Sequence, residues 1–159
     1  MKLSHLDEKG NAYMVDVGTK EETSREAVAS GRILMKPEVI ERLISGDIPK
    51  GDVLAVSRVA GIMGAKQTAS LIPMCHPLFI HSCRVDFDIR QSEAAVIATA
   101  TVGTSGKTGV EMEALTAVSV ALLAVYDMCK ALDKSMVIED IRLLKKTGGK
   151  SGTYEREES

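Results

Sequence analysis

The sequence predicts an α+β fold in which helices pack on one face of an antiparallel sheet. Three observations carry this expectation. Two β-favouring stretches, 79–90 and 94–102, flank the polar turn QSE; a long apolar helical segment follows; and SMVIEDIRLLKK reads as a last strand. With strand and helix material before them, these give the order α, β, β, α, β from residue 52 onward. That is the pattern of a ferredoxin-like sandwich.

Taken in order, residues 11–17 (NAYMVDV) and 24–35 (SREAVASGRILM) have alternating or β-favouring character and read as strands. KPEVIERLISG follows as a helix, with Pro37 near its start and Gly46 at its stop. In KGDVLAVSRVAGIMGAK the Asp52 side chain is placed to cap a helix, and Val53, Val56, Ala60 and Met63 recur at helical spacing. Gly61 and Gly64 weaken the end of that helix. In IPMCHPL (72–78), Pro73 and Pro77 disfavour helix and stiffen a loop around Cys75 and His76.

The long helix spans roughly 109–132. Leu115, Val118, Leu122, Val125, Cys129 and Leu132 make one apolar stripe. Glu113, Thr116, Val120, Ala124 and Asp127 make a second, nearly opposite, with an apolar middle and charged ends. A helix covered on one side only would carry a more polar outer face. The second stripe is therefore expected to be buried too, against another helix or another subunit. Glu113 and Asp127 lie roughly 21 Å apart along the axis, too far for one helix to bring both to a small substrate. An antiparallel pairing with a symmetry-related copy would set one chain's Glu113 near the other's Asp127.

The chain of 159 residues suits a single domain, 1–159, with about 1–10 and 153–159 expected to be poorly ordered. A net charge of −2 supplies no basic field, and Tyr13, Phe79, Phe87, Tyr126 and Tyr154 are too few to stack bases, which argues against nucleic acid. No apolar run reads as a membrane span, and the N-terminus lacks the continuous hydrophobic core of a signal peptide. Three cysteines at irregular spacing make no disulfide framework, so a reducing cytoplasm is the expected setting.

Several residues carry possible chemistry. Asp127 and Lys130, at i and i+3, form either a solvated ion pair worth about 0.2–0.5 kcal/mol or, if partly buried, an acid/base pair with shifted pKa values. VGTSGKTG (102–109) fails as a Walker loop because Thr101 stands where its first glycine belongs. It remains a polar turn feeding a helix N-terminus, a weak anion signal. KKTGGKSG (145–152) suits polyphosphate or a solvated tail equally. Cys75, His76, His81 and Cys83 have metal-binding atoms, but C-H-x4-H-x-C is not a zinc spacing, and His81 and Cys83 would share one strand face away from the loop. As a nucleophile, Cys75 lacks a convincing base, since an adjacent His76 rarely has the required geometry.

Taken together, KGDVLAVSRVAGIMGAKQTASLIPMCHPL, GKTGVEMEALTAVSVALLAVYDMCKAL and IRLLKKTGGKSG closely resemble the MoaC family of molybdenum cofactor biosynthesis, over about residues 12–152. The resemblance implies a ferredoxin-like subunit assembled as a hexamer, a trimer of dimers with active sites between subunits. It also implies a lyase reaction: 3′,8-cyclo-7,8-dihydro-GTP is rearranged to cyclic pyranopterin monophosphate and diphosphate is released. No redox cofactor and no resident metal are implied, although Mg²⁺ can accompany the triphosphate. Carried over by motif, Asp127 and Lys130 in YDMCK match the family's catalytic pair. Met74, Cys75 and His76, with Met112 and Glu113, match its substrate-contacting segments, and Lys50 and Lys146 match further active-site lysines.

Overall fold

The computed structural model describes residue 6 and residues 8–157; part of the expected loose termini, 1–5, 7 and 158–159, lies outside these residues. The strands are β1 (Thr23–Leu34), β2 (Ile80–Arg90), β3 (Ala95–Gly106), β4 (Val137–Thr147) and the short β5 (Tyr154–Glu155). The helices are α1 (Pro37–Ser45), α2 (Val53–Leu71) and α3 (Glu111–Cys129). The sheet order is β2-β3-β1-β4-β5 with every pairing antiparallel, and the helices lie on one face, as the ferredoxin-like expectation requires. At the C-terminal end, Tyr154 pairs with Lys146 and Glu155 with Lys145, so these two residues extend the sheet.

Small side chains at the centre of the sheet decide how closely the helices sit. β1 turns Ala27, Ala29, Gly31 and Ile33 inward and β3 turns Val96, Ala98, Ala100 and Val102 inward, all buried. A Cβ on Gly31 would come within 2.9 Å of Val118 Cγ1 on α3. The α3 stripe that meets this floor is the predicted one, with Val118, Leu122, Val125 and Cys129 fully buried.

The second α3 stripe is covered by α2 of the same chain. Gly61 and Gly64, expected to weaken α2, instead sit in the interior of a helix that continues to Leu71. A Cβ on Gly61 would stand 2.9 Å from the Ala117 carbonyl oxygen, and one on Gly64 would stand 2.8 Å from Val120 Cγ2. The contact thus selects a buried α2 face of Val53, Ser57, Gly61, Gly64, Ala65 and Thr68. The stripe expected from spacing is split: Val53 lies on this buried face and Ala60 is half-buried, whereas Val56 is 50% and Met63 is 59% exposed. With α2 in that place, an antiparallel pairing of two α3 copies through this stripe has no room.

Local signals fix the ends. Asp52 Oδ1 accepts the Ala55 N–H at 3.0 Å, capping α2 as expected. Gly46 ends α1 at φ 75°, in the left-handed region that glycine adopts without strain. Residues 11–17 depart from expectation. They are extended, with Val15 and Val17 turned partly inward and Asp16 outward, but they join no named strand, and Ala12 makes an isolated bridge to Leu6. By length and composition α3 would pass as a membrane span; here it is a core helix between the sheet and α2.

Gly61→Ala adds one methyl at a gap that the α3 backbone already fills. The gain in helix propensity, about 1 kcal/mol, is outweighed by overpacking, so a net destabilisation of about 1–2 kcal/mol is expected in urea unfolding. A variant as stable as the parent would refute close helix contact as the reason for glycine here.

Candidate active site

Two groups of the singled-out residues form at opposite ends of the α2–α3 pair. At the C-terminal end of α3, Lys130 Nζ donates to Asp127 Oδ1 at 2.6 Å. Lys50, from the turn before α2, donates to Asp127 Oδ2 at 2.8 Å and to the Asp127 carbonyl oxygen at 3.0 Å. One carboxylate therefore bridges two ammonium groups. The bonds from Lys130 and then Lys50 hold the Asp127 carboxyl down at about 2, and Asp127 in turn raises Lys130 above its ordinary value. The expected partial burial of this pair is absent within one chain, where the Asp127 side chain is 55% and that of Lys130 49% exposed.

At the other end, the loop after α2 and the first turn of α3 border a half-open pocket of about 280 Å³. Met74, Cys75 and His76 line one side, and Met112 and Glu113 another. Val15 and Val17 supply a further wall. The loop begins where α2 ends, and the Cys75 N–H donates to the Ile72 carbonyl at 3.1 Å. Glu113 is almost fully buried (4% exposed); desolvation, with Glu111 nearby, raises its carboxyl despite a hydrogen bond from its own backbone N–H. Burial and the neighbouring Glu113 raise the Cys75 thiol, which keeps it protonated and disfavours a thiolate nucleophile. His76 Nε2 lies 2.8 Å from the Val15 carbonyl oxygen. A carbonyl only accepts, so Nε2 carries the proton.

This pocket opens through Lys20, Thr108, Gly109 and Glu111, shared by both, into a cleft of about 1030 Å³. Lys146 lies in the cleft rather than in the smaller pocket, with Lys107, Lys150 and Arg25. KKTGGKSG forms one wall: Gly148 and Gly149 take φ 90° and 74°, folding the segment over β1, and Lys146 donates to Ser151 Oγ. A Cβ on Gly148 would collide with the Ser24 carbonyl oxygen of β1, so the loop lies this close to the strand only with glycine there. The Gly/Ser/Thr turn before α3 forms the opposite wall, so the two weak anion signals of the sequence meet at one cleft. Lys20 and Arg25 were not foreseen; TKEETSREA has no motif, and only the fold brings it to the cleft.

His81 and Cys83 prove not to share a face. The ladder shifts between Ile80 and Ser82, so His81 bulges to the surface while Cys83 packs against the core. No described cluster brings these two residues to Cys75 and His76.

The family model of the MoaC family matches residues 14–149. Among curated proteins, the cyclic pyranopterin monophosphate synthase of Thermoanaerobacter sp. (strain X514) is 58% identical over 157 residues, covering 99% of each chain. That of Heliobacterium modesticaldum is 60% identical over 156 residues, covering 98% of each chain. That of Desulfitobacterium hafniense is 60% identical over 158 residues, 99% of this chain and 96% of the relative.

The bridging carboxylate makes a titration prediction. Because the folded value of Asp127 is depressed from 3.8 to about 2, its stabilising effect is complete above the unfolded value and is lost as pH falls through about 2. In carboxyl ¹³C NMR, Lys50→Met together with Lys130→Met should return the Asp127 midpoint towards the ordinary range. An unmoved midpoint would contradict the two-lysine bridge.

Proposed function

The chain belongs to the MoaC family, and from that membership we propose that it is a cyclic pyranopterin monophosphate synthase, a lyase of molybdenum cofactor biosynthesis. Its substrate is 3′,8-cyclo-7,8-dihydro-GTP, and its products are cyclic pyranopterin monophosphate and diphosphate. The observation that carries this reading is the junction of a half-open pocket, with Glu113 in its lining, and a larger cleft that gathers five cationic side chains against three carboxylates. A nucleotide-derived substrate has the matching form, a heterocycle joined to a polyphosphate.

In this reading Met74, Cys75, His76, Met112 and Glu113 contact the heterocycle, and Lys146 with Arg25 meets the phosphates. Opening one ring and closing another requires several proton transfers. Asp127 holds Lys130 in the ammonium form, the form required of a general acid, and is itself an ionised acceptor. Lys50 completes the cluster. A ribose-derived hydroxyl attacks the α-phosphorus: the new O–P bond closes the cyclic phosphate, the bond from the α-phosphorus to the bridging oxygen breaks, and diphosphate leaves with that electron pair. Lysines balance the departing charge, and Mg²⁺ accompanying the phosphates would share that role without being a resident cofactor.

Roughly 21 Å of helix separates Glu113 from Asp127, so one chain does not bring both halves to one small molecule. We assign the complete site to two chains, one giving the pocket and the other Lys50, Asp127 and Lys130, in a hexamer built as a trimer of dimers. Covering the exposed ion pair with a second subunit and substrate would desolvate Lys130 and lower its pKa towards the working range. A nucleotide-derived substrate and three free cysteines, Cys75, Cys83 and Cys129, suit the cytoplasm.

Two experiments test this reading. Incubation with freshly made cyclised dihydro-GTP should give the cyclic pyranopterin by mass spectrometry and diphosphate by coupled assay, and Lys130→Ala should lower turnover by about 10²–10⁴-fold while the chain still folds and assembles. Absence of both products would defeat the assignment. Inactive Lys130→Ala and His76→Ala chains, unfolded together and reassembled 1:1, should recover about a quarter of the parent activity if each site draws these residues from different chains. No recovery in properly assembled mixtures would place both residues in one chain's site.

A further inference from the structure

GKTG, which fails as a phosphate loop, has a different task in the fold. Lys107 Nζ donates to the Gly18 carbonyl oxygen at 2.7 Å, across 89 residues of sequence. Gly18 opens the turn 18–20 after residues 11–17, none of which joins a named strand of the sheet. Four bonds lie close together in residues 15–20. The Gly18 N–H donates to Asp16 Oδ1 at 2.7 Å, and the Lys20 N–H donates to the Val17 carbonyl at 3.1 Å. The Gly18 carbonyl accepts Lys107, and the Val15 carbonyl accepts His76 Nε2 at 2.8 Å. The first two bonds shape the segment; the last two tie it to the body of the protein at the pocket.

We propose that Lys107 is a positioning residue: it anchors a strap, residues 15–20, whose Val15 carbonyl selects the Nε2–H form of His76. Nδ1 is then the lone-pair-bearing nitrogen of the neutral ring, so a pocket contact from that atom accepts rather than donates. Side chains on the same strap, Val15 and Val17, close the pocket wall. Without the ammonium, the strap keeps its own turn but loses its tie to the turn before α3. Either imidazole nitrogen can then carry the proton. The inference rests on the synthase reading only for its catalytic consequence; the strap and the tautomer are properties of the free protein.

The test therefore begins without substrate. Lys107→Met keeps the aliphatic stem and removes the donor, and Lys107→Arg restores one. In protein labelled with [¹⁵N]histidine, the parent and Lys107→Arg should show His76 with Nε2 protonated, whereas Lys107→Met should show both tautomers. Backbone hydrogen exchange across residues 15–20 should be about tenfold faster in Lys107→Met, in line with loss of one charge-assisted bond. With the cyclised dihydro-GTP, kcat should fall about tenfold with KM nearly constant. If Lys107 instead holds a phosphate directly, Lys107→Met raises KM and leaves the His76 tautomer and strap exchange as in the parent; that result overturns the proposal. Lys107→Gln, polar but uncharged and shorter in reach, gives a second reading should Lys107→Met fail to fold. It should also yield mixed tautomers, and a purely Nε2-protonated His76 there overturns the proposal as well.

Discussion

The close contact of α2 with α3 is the constraint on which the rest of the molecule depends. Gly61 and Gly64 let the α3 backbone approach to a distance at which even a methyl would collide. Because the two helices have equal length, 19 residues each, and run antiparallel, the contact aligns their opposite ends. The start of α2, just after Lys50, meets the end of α3 at Asp127 and Lys130. The loop leaving α2, with Cys75 and His76, meets the start of α3 at Met112 and Glu113. One packing interaction therefore assembles both groups of functional residues and separates them by the length of the pair.

The two groups are electrostatic opposites. At one end a carboxylate shared by two ammonium groups is exposed, fully ionised and screened by water, so it contributes little to folding. At the other end a carboxyl and a thiol are withdrawn from water, and both are pushed towards their neutral forms. A pocket with walls of Val15, Val17, Met74, Leu78 and Met112 suits a heterocycle, while exposed charge on a rigid helix end suits proton traffic once something covers it. The larger cleft beside the pocket gathers Lys20, Arg25, Lys107, Lys146 and Lys150, charge that suits a polyphosphate.

Much of this was legible in the sequence because it depends on local chemistry. Pro37, Gly46 and Asp52 mark their boundaries by backbone geometry and capping alone, and the apolar α3 stripe reports the sheet below it. The motif strings carried the family, and from it come the candidate site residues. Other features depend on tertiary proximity. Gly61 and Gly64 read locally as helix weakeners because the backbone they accommodate lies more than fifty residues away. The outward Val56 and Met63 misled for the same reason, since spacing reveals a stripe but not which side is covered. The bulge that separates His81 from Cys83 arises in pairing with β3. Arg25 reaches the cleft only because β1 passes beneath the loop of Gly148 and Gly149.

The outward part of that α2 stripe bears on assembly. Val56, Val59 and Met63 follow one another along the outer side of α2, and Leu123 lies outward on α3, each at least half exposed. A soluble helix layer ordinarily reserves that side for charge, yet here the small residues are spent on the inner contact and the large apolar ones face out. The same glycines that bring α2 onto α3 thus leave apolar surface facing outward. The length of the pair keeps each chain's two half-sites apart, and an isologous partner resolves both problems at once. It would cover the outer apolar side and, by two-fold symmetry, bring two complementary pairs of half-sites together. On this argument the proposed assembly would be a consequence of how α2 packs, and the proposed catalytic site would follow from that assembly.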